Sequence, residues 1–251
     1  MQINFTQIFQ DSLNFMRNQR KTVLIFVGIF VVSQLINALV SVPMPSLGDN
    51  PNPSQQDIID ALSKVEPTAL IGSFLFQQLL MSFIATFGIA TIHHISQQNQ
   101  NPINQGLMLT LRRFLGVVVL DIFMSLPLLF GLADVMSSFL SKNALSPLAF
   151  VSMVFGLFFF VRLCLSPVHY IVSNQSIGQS ALQVWRAGIK RNGVLITYAL
   201  ITYLFLPLLA NSIGTTLGTS FLSVIFGILV ALFQMFILVF TYRFYSLFMK
   251  A

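Results

Sequence analysis

The sequence is poor in charged residues, and this shortage decides the class of protein. Only 8% of its 251 residues are Asp, Glu, Lys or Arg, whereas about 25% are charged in an ordinary soluble domain. So few charges cannot cover a surface in contact with water, which excludes a soluble globular protein. Intrinsic disorder is excluded as well, because disordered chains are poor in hydrophobic residues and this chain has 55%.

Residues that carry chemistry are also scarce. The single cysteine, Cys164, excludes an intramolecular disulfide and a zinc site built from cysteines. His93 and His94 are adjacent, so on a helix they point about 100° apart and cannot hold one metal ion as an i, i+4 pair could. His169 and Cys164 have no second base to orient them. No nucleophile elbow, zinc-protease motif or glycine-rich phosphate loop occurs. We therefore predict no catalytic residues, no metal or other cofactor, and no enzymatic activity.

Long apolar stretches are what the chain has in abundance. A helix must contain about 17 to 25 apolar residues to cross a hydrocarbon core of about 30 Å. Helices are expected, because a segment that spans a membrane must satisfy its own backbone hydrogen bonds. Six stretches reach this length, and they cover residues 22–42, 68–92, 114–133, 147–166, 194–214 and 221–241.

Basic residues lie almost entirely on one side of these spans. Only Lys64 and Lys142 of the 13 fall on the other side, so the positive-inside rule places both termini in the cytoplasm. The basic residues flank the spans and form no basic tail, so a nucleic-acid partner is not expected. Segment 43–67 becomes the one sizeable outer loop, with Ser54 as a helix cap. A solvated connector is favoured there over a binding loop.

One short pattern occurs three times, before the first, third and fifth spans. It is Ile-x-Gln-x6-Arg, and on a helix its Gln and Arg fall within about 20° of each other, opposite the Ile. We predict an interfacial amphipathic helix at each copy, with apolar side chains in the acyl boundary and arginine toward anionic lipid headgroups. We call the three copies together the collar, and they are Ile8, Gln10, Arg17; Ile103, Gln105, Arg112; and Ile177, Gln179, Arg186.

These copies predict an all-α bundle of six transmembrane helices, in three units of one interfacial helix plus two spans. Two spans return the chain to its starting side, so the units, about 1–92, 100–166 and 174–242 of one domain (1–251), are parallel. Pro127 and Pro207 share the sequence Leu-Pro-Leu-Leu in their spans. The signature that follows the kink proline in mitochondrial carriers is missing, which excludes that family.

The three collar segments also carry a family resemblance. The stretches 8–17, 103–114 and 176–185 resemble the YciC-type inner-membrane proteins of Gram-negative bacteria, and the likeness extends over nearly the whole chain. This resemblance implies six spans and no assigned activity. The unit is more distantly similar to the membrane domain attached to some glycerophosphodiester phosphodiesterases. Their catalytic barrel is missing here, so their chemistry is not implied.

Two ionisable residues lie inside the predicted spans. Asp121 and Arg162 occur at similar depths in neighbouring helices, which suggests a buried ion pair. The alternative leaves Arg162 extended to the headgroups and Asp121 facing water or another helix. Helix-to-helix hydrogen bonds are favoured over a transport site for the uncharged polar residues in the spans. These are Gln34, Asn37, Gln77, Gln78, Asn211 and Gln234.

The sequence therefore favours a non-enzymatic membrane component that engages membrane lipids or partner proteins through the collar. The alternative is a small transporter with its path along the repeat axis. Polar residues that cluster on the axis would favour transport, and an axis filled with apolar side chains would favour the first function. A membrane-embedded hydrolase ranks third, because it needs histidines and carboxylates to converge in one cavity accessible to water.

Overall fold

Helices make up all the regular secondary structure in the part of the chain that the structure describes. The structure is a computed structural model, and it describes residues 3–42, 66–141, 144, 146–209 and 222–250. The helices are α1 Phe5–Asn18, α2 Arg20–Val40, α3 Pro67–Ser96, α4 Pro102–Leu140, α5 Pro147–Leu163, α6 Ser166–Val172, α7 Ile177–Gly188, α8 Asn192–Ala199 and α9 Leu222–Lys250.

Six stretches are long and apolar enough to cross a membrane, and they occur where the six spans were predicted. They are Arg20–Val40, Ile71–Ser96, Pro102–Phe139, Pro147–Val172, Asn192–Leu209 and Ile225–Lys250. The all-helical class is therefore confirmed for the described residues, and so is the presence of six helical stretches that could span a membrane. Most of the predicted outer loop, including Ser54 and Lys64, lies outside the described residues, as do Lys142 and Asn211. The threefold repeat stays a prediction.

Two helices extend beyond their predicted bounds. α4 is one continuous helix of 39 residues, about 58 Å long at 1.5 Å per residue, so the second collar segment is not a separate interfacial helix. No Gly or Pro separates Arg113 from the span, and nothing there ends the helix. In the first unit, by contrast, Gln19 leaves helical geometry between α1 and α2. α9 also continues past the predicted end at residue 241, as far as Lys250.

Capping residues explain where several helices begin. Asn4 accepts hydrogen bonds from Thr6 N and Gln7 N at the start of α1. The Ser146 side chain accepts from Ala149 N at α5. Ser176 and Gln179 form a capping box at α7, in which each side chain satisfies a backbone N–H of the other residue.

The two span prolines are accommodated differently. Pro127 lies inside α4, next to Leu128, whose backbone faces Gly156 of α5 across a very close helix contact. Before Pro207, α8 continues as a π-helical turn, Leu200–Phe205, in which Leu206 N donates to Ile201 O. A proline in a regular α-helix clashes with the carbonyl four residues earlier, and a wider turn re-pairs the neighbouring backbone groups.

The end of α9 forms the most buried part of the bundle. Phe244 and Phe248 are fully buried on this helix, and Tyr198 of α8 stacks on Phe244 with ring centroids 4.2 Å apart. Phe5 of α1 stacks on the same Phe244 ring at 5.7 Å. The residues beyond the predicted end of the last span thus hold α1 and α8 against α9.

Candidate functional site

All six polar residues of the collar lie at the surface. Their exposed side chains are Gln10, Arg17, Gln105, Arg112, Gln179 and Arg186. The isoleucines lie on more buried faces, since Ile8 is fully buried and Ile103 and Ile177 are half-buried. Three of the exposed side chains are cations, and Asp11 is the one acidic residue in the three helical segments. Each collar segment therefore presents an exposed positive charge, and lipid binding by the collar stays a prediction.

The collar helix α1 uses its apolar stripe partly for packing inside the protein. Phe5 stacks on Phe244, and the Phe9 ring lies 4.9 Å from that of Phe236. Leu13, one turn further on, is 48% exposed. α1 is therefore fixed to α9 on one side and leaves apolar surface free on the other, as an interfacial helix requires.

The collar glutamines do not have one shared role. The Gln179 side chain accepts a hydrogen bond from Ser176 N at 3.3 Å, as part of the α7 capping box. Gln10 lies in the middle of α1 and Gln105 lies in the first turn of α4, where neither caps a helix. A structural role thus explains the glutamine of the third copy alone.

The structure gives Arg162 a different partner from the one predicted. Its guanidinium donates to Oδ1 of Asn192 at 2.6 Å and to the backbone oxygen of Trp185, and it lies 4.6 Å from the centre of the Trp185 ring. Arg162 is only 3% exposed, so it does not extend to the headgroups either. It joins the first residue of α8 to the last turn of α7, the helix end at which the dipole favours a cation.

Asp121 makes its contact on the other side of α4. Its Oδ2 accepts a hydrogen bond from Ser82 Oγ of α3 at 2.8 Å. The structure therefore does not bring Asp121 and Arg162 together. Similar depth placed them at one level, but Asp121 faces α3 whereas Arg162 faces α7 and α8.

Because these two residues have separate partners, we expect the effects of Asp121→Asn and Arg162→Gln on the free energy of unfolding to add. Arg162→Gln alone is expected to cost about 1–3 kcal/mol, since it leaves buried acceptors without donors. A double-mutant cycle should give a coupling energy within about 0.5 kcal/mol of zero. A coupling energy above about 1 kcal/mol would instead support the predicted ion pair between Asp121 and Arg162.

A second polar cluster lies behind the collar and was missed in the sequence. His169 of α6 is buried, with Nδ1 2.7 Å from the hydroxyl of Tyr245 and Nε2 2.8 Å from Oε1 of Gln183. Oε1 of Gln175 lies 3.2 Å from the same Nε2. Arg113 joins the cluster by donating to Gln175 O at 2.9 Å. These bonds connect α4, α6, α7 and α9 below the exposed collar.

A similar contact occurs at the end of α3. Nδ1 of His93 lies 3.0 Å from the hydroxyl of Tyr242, which is also 2.6 Å from Ser96 Oγ. The one sequence signal for both clusters is the match between His93-His94-Ile95 and His169-Tyr170-Ile171, each shortly before a collar segment. The tyrosines gave no signal, because they follow the predicted end of the last span.

The uncharged polar residues of the spans are only partly gathered. Gln77 and Gln78 are exposed. Three amide atoms are buried without a hydrogen-bond partner, Nε2 of Gln34, Oδ1 of Asn37 and Oε1 of Gln234. A cavity of about 210 Å³ lies between α2 and α3, with Asn37 and Gln77 in its lining. This arrangement bears on the transport alternative.

One known protein is similar to the chain over its full length. It is a Haemophilus influenzae protein described as "Uncharacterized protein", 40% identical over 250 residues, which cover 100% of both chains. No family model matches the chain, and no solved structure matches it.

Proposed function

Because the chain belongs to one family with this Haemophilus influenzae protein, which has no activity in its description, we propose a function from the side chains themselves. The protein is a non-enzymatic, multi-pass component of the cell inner membrane, of the YciC type, with both termini in the cytoplasm. Its collar binds anionic lipid headgroups at the cytoplasmic face, and partner proteins that dock there do so on the same surface.

The observation that carries this proposal is that six of the eight arginines fall into two groups. Arg113, Arg162 and Arg191 donate to oxygen atoms within the protein. Arg17, Arg112 and Arg186 remain exposed at matching positions of the collar. A basic side chain near an anionic membrane surface contributes about 1 kcal/mol of attraction. The exposed group thus has the charge, the position and the freedom to reach phosphate groups.

Transport is the second candidate function. The unpartnered amide atoms of Gln34, Asn37 and Gln234 support it, because unsatisfied polar atoms within a membrane favour a polar guest. The aromatic stack of Tyr198 and Phe244 supports the first function instead, since it fills the interior between α8 and α9. We therefore place lipid binding first.

The test removes the three exposed collar charges together. Arg17→Gln, Arg112→Gln and Arg186→Gln are expected to reduce the enrichment of phosphatidylglycerol around the protein in mixed-lipid nanodiscs, measured by mass spectrometry of the retained lipid. The loss should be roughly fivefold per residue at low salt and smaller at high salt, because salt screens exposed charges.

A charge-matched control separates the collar from net charge. Lys64→Gln and Lys142→Gln remove two positive charges from the side predicted to face away from the cytoplasm and should leave the enrichment close to that of the unmodified chain. The collar double variant Arg17→Gln and Arg112→Gln is its charge-matched counterpart, and equal losses in the two double variants would contradict the proposal. The proposal would also be contradicted if the unmodified protein showed no lipid enrichment and carried one stoichiometric protein partner. The collar would then be assigned to protein binding.

A further inference from the structure

A groove of about 600 Å³ runs between α4 and α5, at the ends of these helices that are remote from the collar. One wall of the groove is formed by three α4 side chains spaced four residues apart, and the other wall by the α5 side chains that face them. The three α4 residues extend over about 12 Å at 1.5 Å per residue. The wall residues are Leu126, Phe130 and Asp134 on α4, and Leu148, Ser152 and Phe155 on α5.

Two glycines let α4 and α5 approach closely beside the groove. A Cβ atom on Gly156 would lie 2.5 Å from Leu128 N, so the two backbones touch there. A Cβ atom on Gly131 would lie 2.6 Å from Cγ of Met153 and 2.9 Å from its backbone nitrogen. The larger side chains beside this seam border an open channel, which is mostly apolar and has one charged residue.

Asp134 supplies that charge at one end of the groove. Its Oδ2 accepts a hydrogen bond from Ser146 Oγ at 2.6 Å, and Ser146 in turn caps α5. No basic side chain within the described residues contacts Asp134. Among the described residues, the carboxylate therefore ends an apolar groove with a negative charge that has a hydroxyl partner and no cation. A cation at this place would gain from the opposite charge of a half-buried carboxylate.

We propose that this groove binds a phospholipid with an ammonium headgroup. The acyl chain lies along the apolar walls toward Leu126, and the ammonium group donates to the carboxylate of Asp134. This site goes beyond the proposed collar function, because it lies at the other ends of the helices and recognises the ammonium group of a zwitterionic headgroup. An uncharged or anionic lipid fits the apolar walls but offers Asp134 no cation.

The test measures which lipid the purified protein retains from nanodiscs of equal phosphatidylethanolamine and phosphatidylglycerol. We expect native mass spectrometry to show one retained phosphatidylethanolamine. Asp134→Asn should lower its preference over phosphatidylglycerol at least about fivefold, the equivalent of roughly 1 kcal/mol. Ser152→Phe, which fills the groove, should remove the retained lipid. The control Glu66→Gln neutralises an exposed carboxylate outside the groove and should change nothing.

The proposal is overturned if Asp134→Asn retains the preference, if Glu66→Gln loses as much, or if the unmodified protein retains lipids in the proportion of the bilayer.

A measurement without substitutions covers the case in which a variant does not fold. In that measurement N-acetylated phosphatidylethanolamine, which has no ammonium charge, replaces the parent lipid. The unmodified protein should then retain no lipid selectively, and undiminished retention would equally overturn the proposal. The collar variants should leave this selectivity unchanged, so the two sites fail independently.

Discussion

Phe244→Ala is expected to lower the free energy of unfolding by about 3–5 kcal/mol, the usual cost of removing a fully buried phenylalanine ring. Phe244 has no exposed surface. The centre of its ring lies 4.2 Å from that of Tyr198 and 5.7 Å from those of Phe5 and Phe248. The substitution therefore opens a cavity where α1, α8 and α9 meet. Titration with sodium dodecyl sulfate in mixed micelles measures the loss.

Phe150→Ala on α5 is the matched control. Phe150 is 72% exposed, so its loss leaves no internal cavity and should change the free energy of unfolding by less than about 0.5 kcal/mol. A similar cost for both substitutions would mean that the end of α9 does not form the core described above. The predicted span that stopped at residue 241 would then describe the folded helix better.

Gly156→Ala is expected to destabilise the protein by about 1–3 kcal/mol, the usual cost of adding a methyl group to a tightly packed interior. Its Cβ atom would lie 2.5 Å from the backbone nitrogen of Leu128. Backbone cannot turn away as a flexible side chain can, so α4 and α5 must separate. The shift of the unfolding midpoint in the same detergent titration gives the magnitude.

Gly72→Ala provides the opposite case within the same chain. Gly72 is exposed on α3, and a Cβ atom there would have nothing within 4 Å. Alanine is the better helix former by about 1 kcal/mol, so this substitution should be neutral or stabilising. If both alanine substitutions have the same effect on the free energy of unfolding, Gly156 is not needed for the close packing of α4 on α5.

The six spans could be predicted from the sequence, because an apolar stretch of about 20 residues can cross a bilayer only as a helix. Their ends were harder to place. Arg112 and Arg113 indicate a membrane boundary, but α4 passes through it, since charge marks the edge of the membrane and does not break a helix. The same reasoning stopped the last span at residue 241, although Phe244 and Phe248 beyond it are fully buried.

The candidate sites depended on which helix faces which, and hydropathy carries no such information. The spacing within each collar segment predicted one exposed face, and the six polar residues of the collar do lie at the surface. Asp121 and Arg162 were matched by depth alone, and their partners proved to be Ser82 and Asn192. Depth is fixed by counting residues along one helix, whereas a contact also needs the rotation of both helices about their axes.

The sequence by itself determined the class of this protein, its six spanning helices and the polar face of the collar, because each depends on composition or on spacing within one segment. The tertiary structure alone decided the hydrogen bonds of Arg162 and His169, the aromatic core at the end of α9, and the groove between α4 and α5. These features join residues of different helices, which are as much as 239 positions apart in the case of Phe5 and Phe244. They arise only when separate helices pack side by side, and the pattern within one helix does not specify that packing.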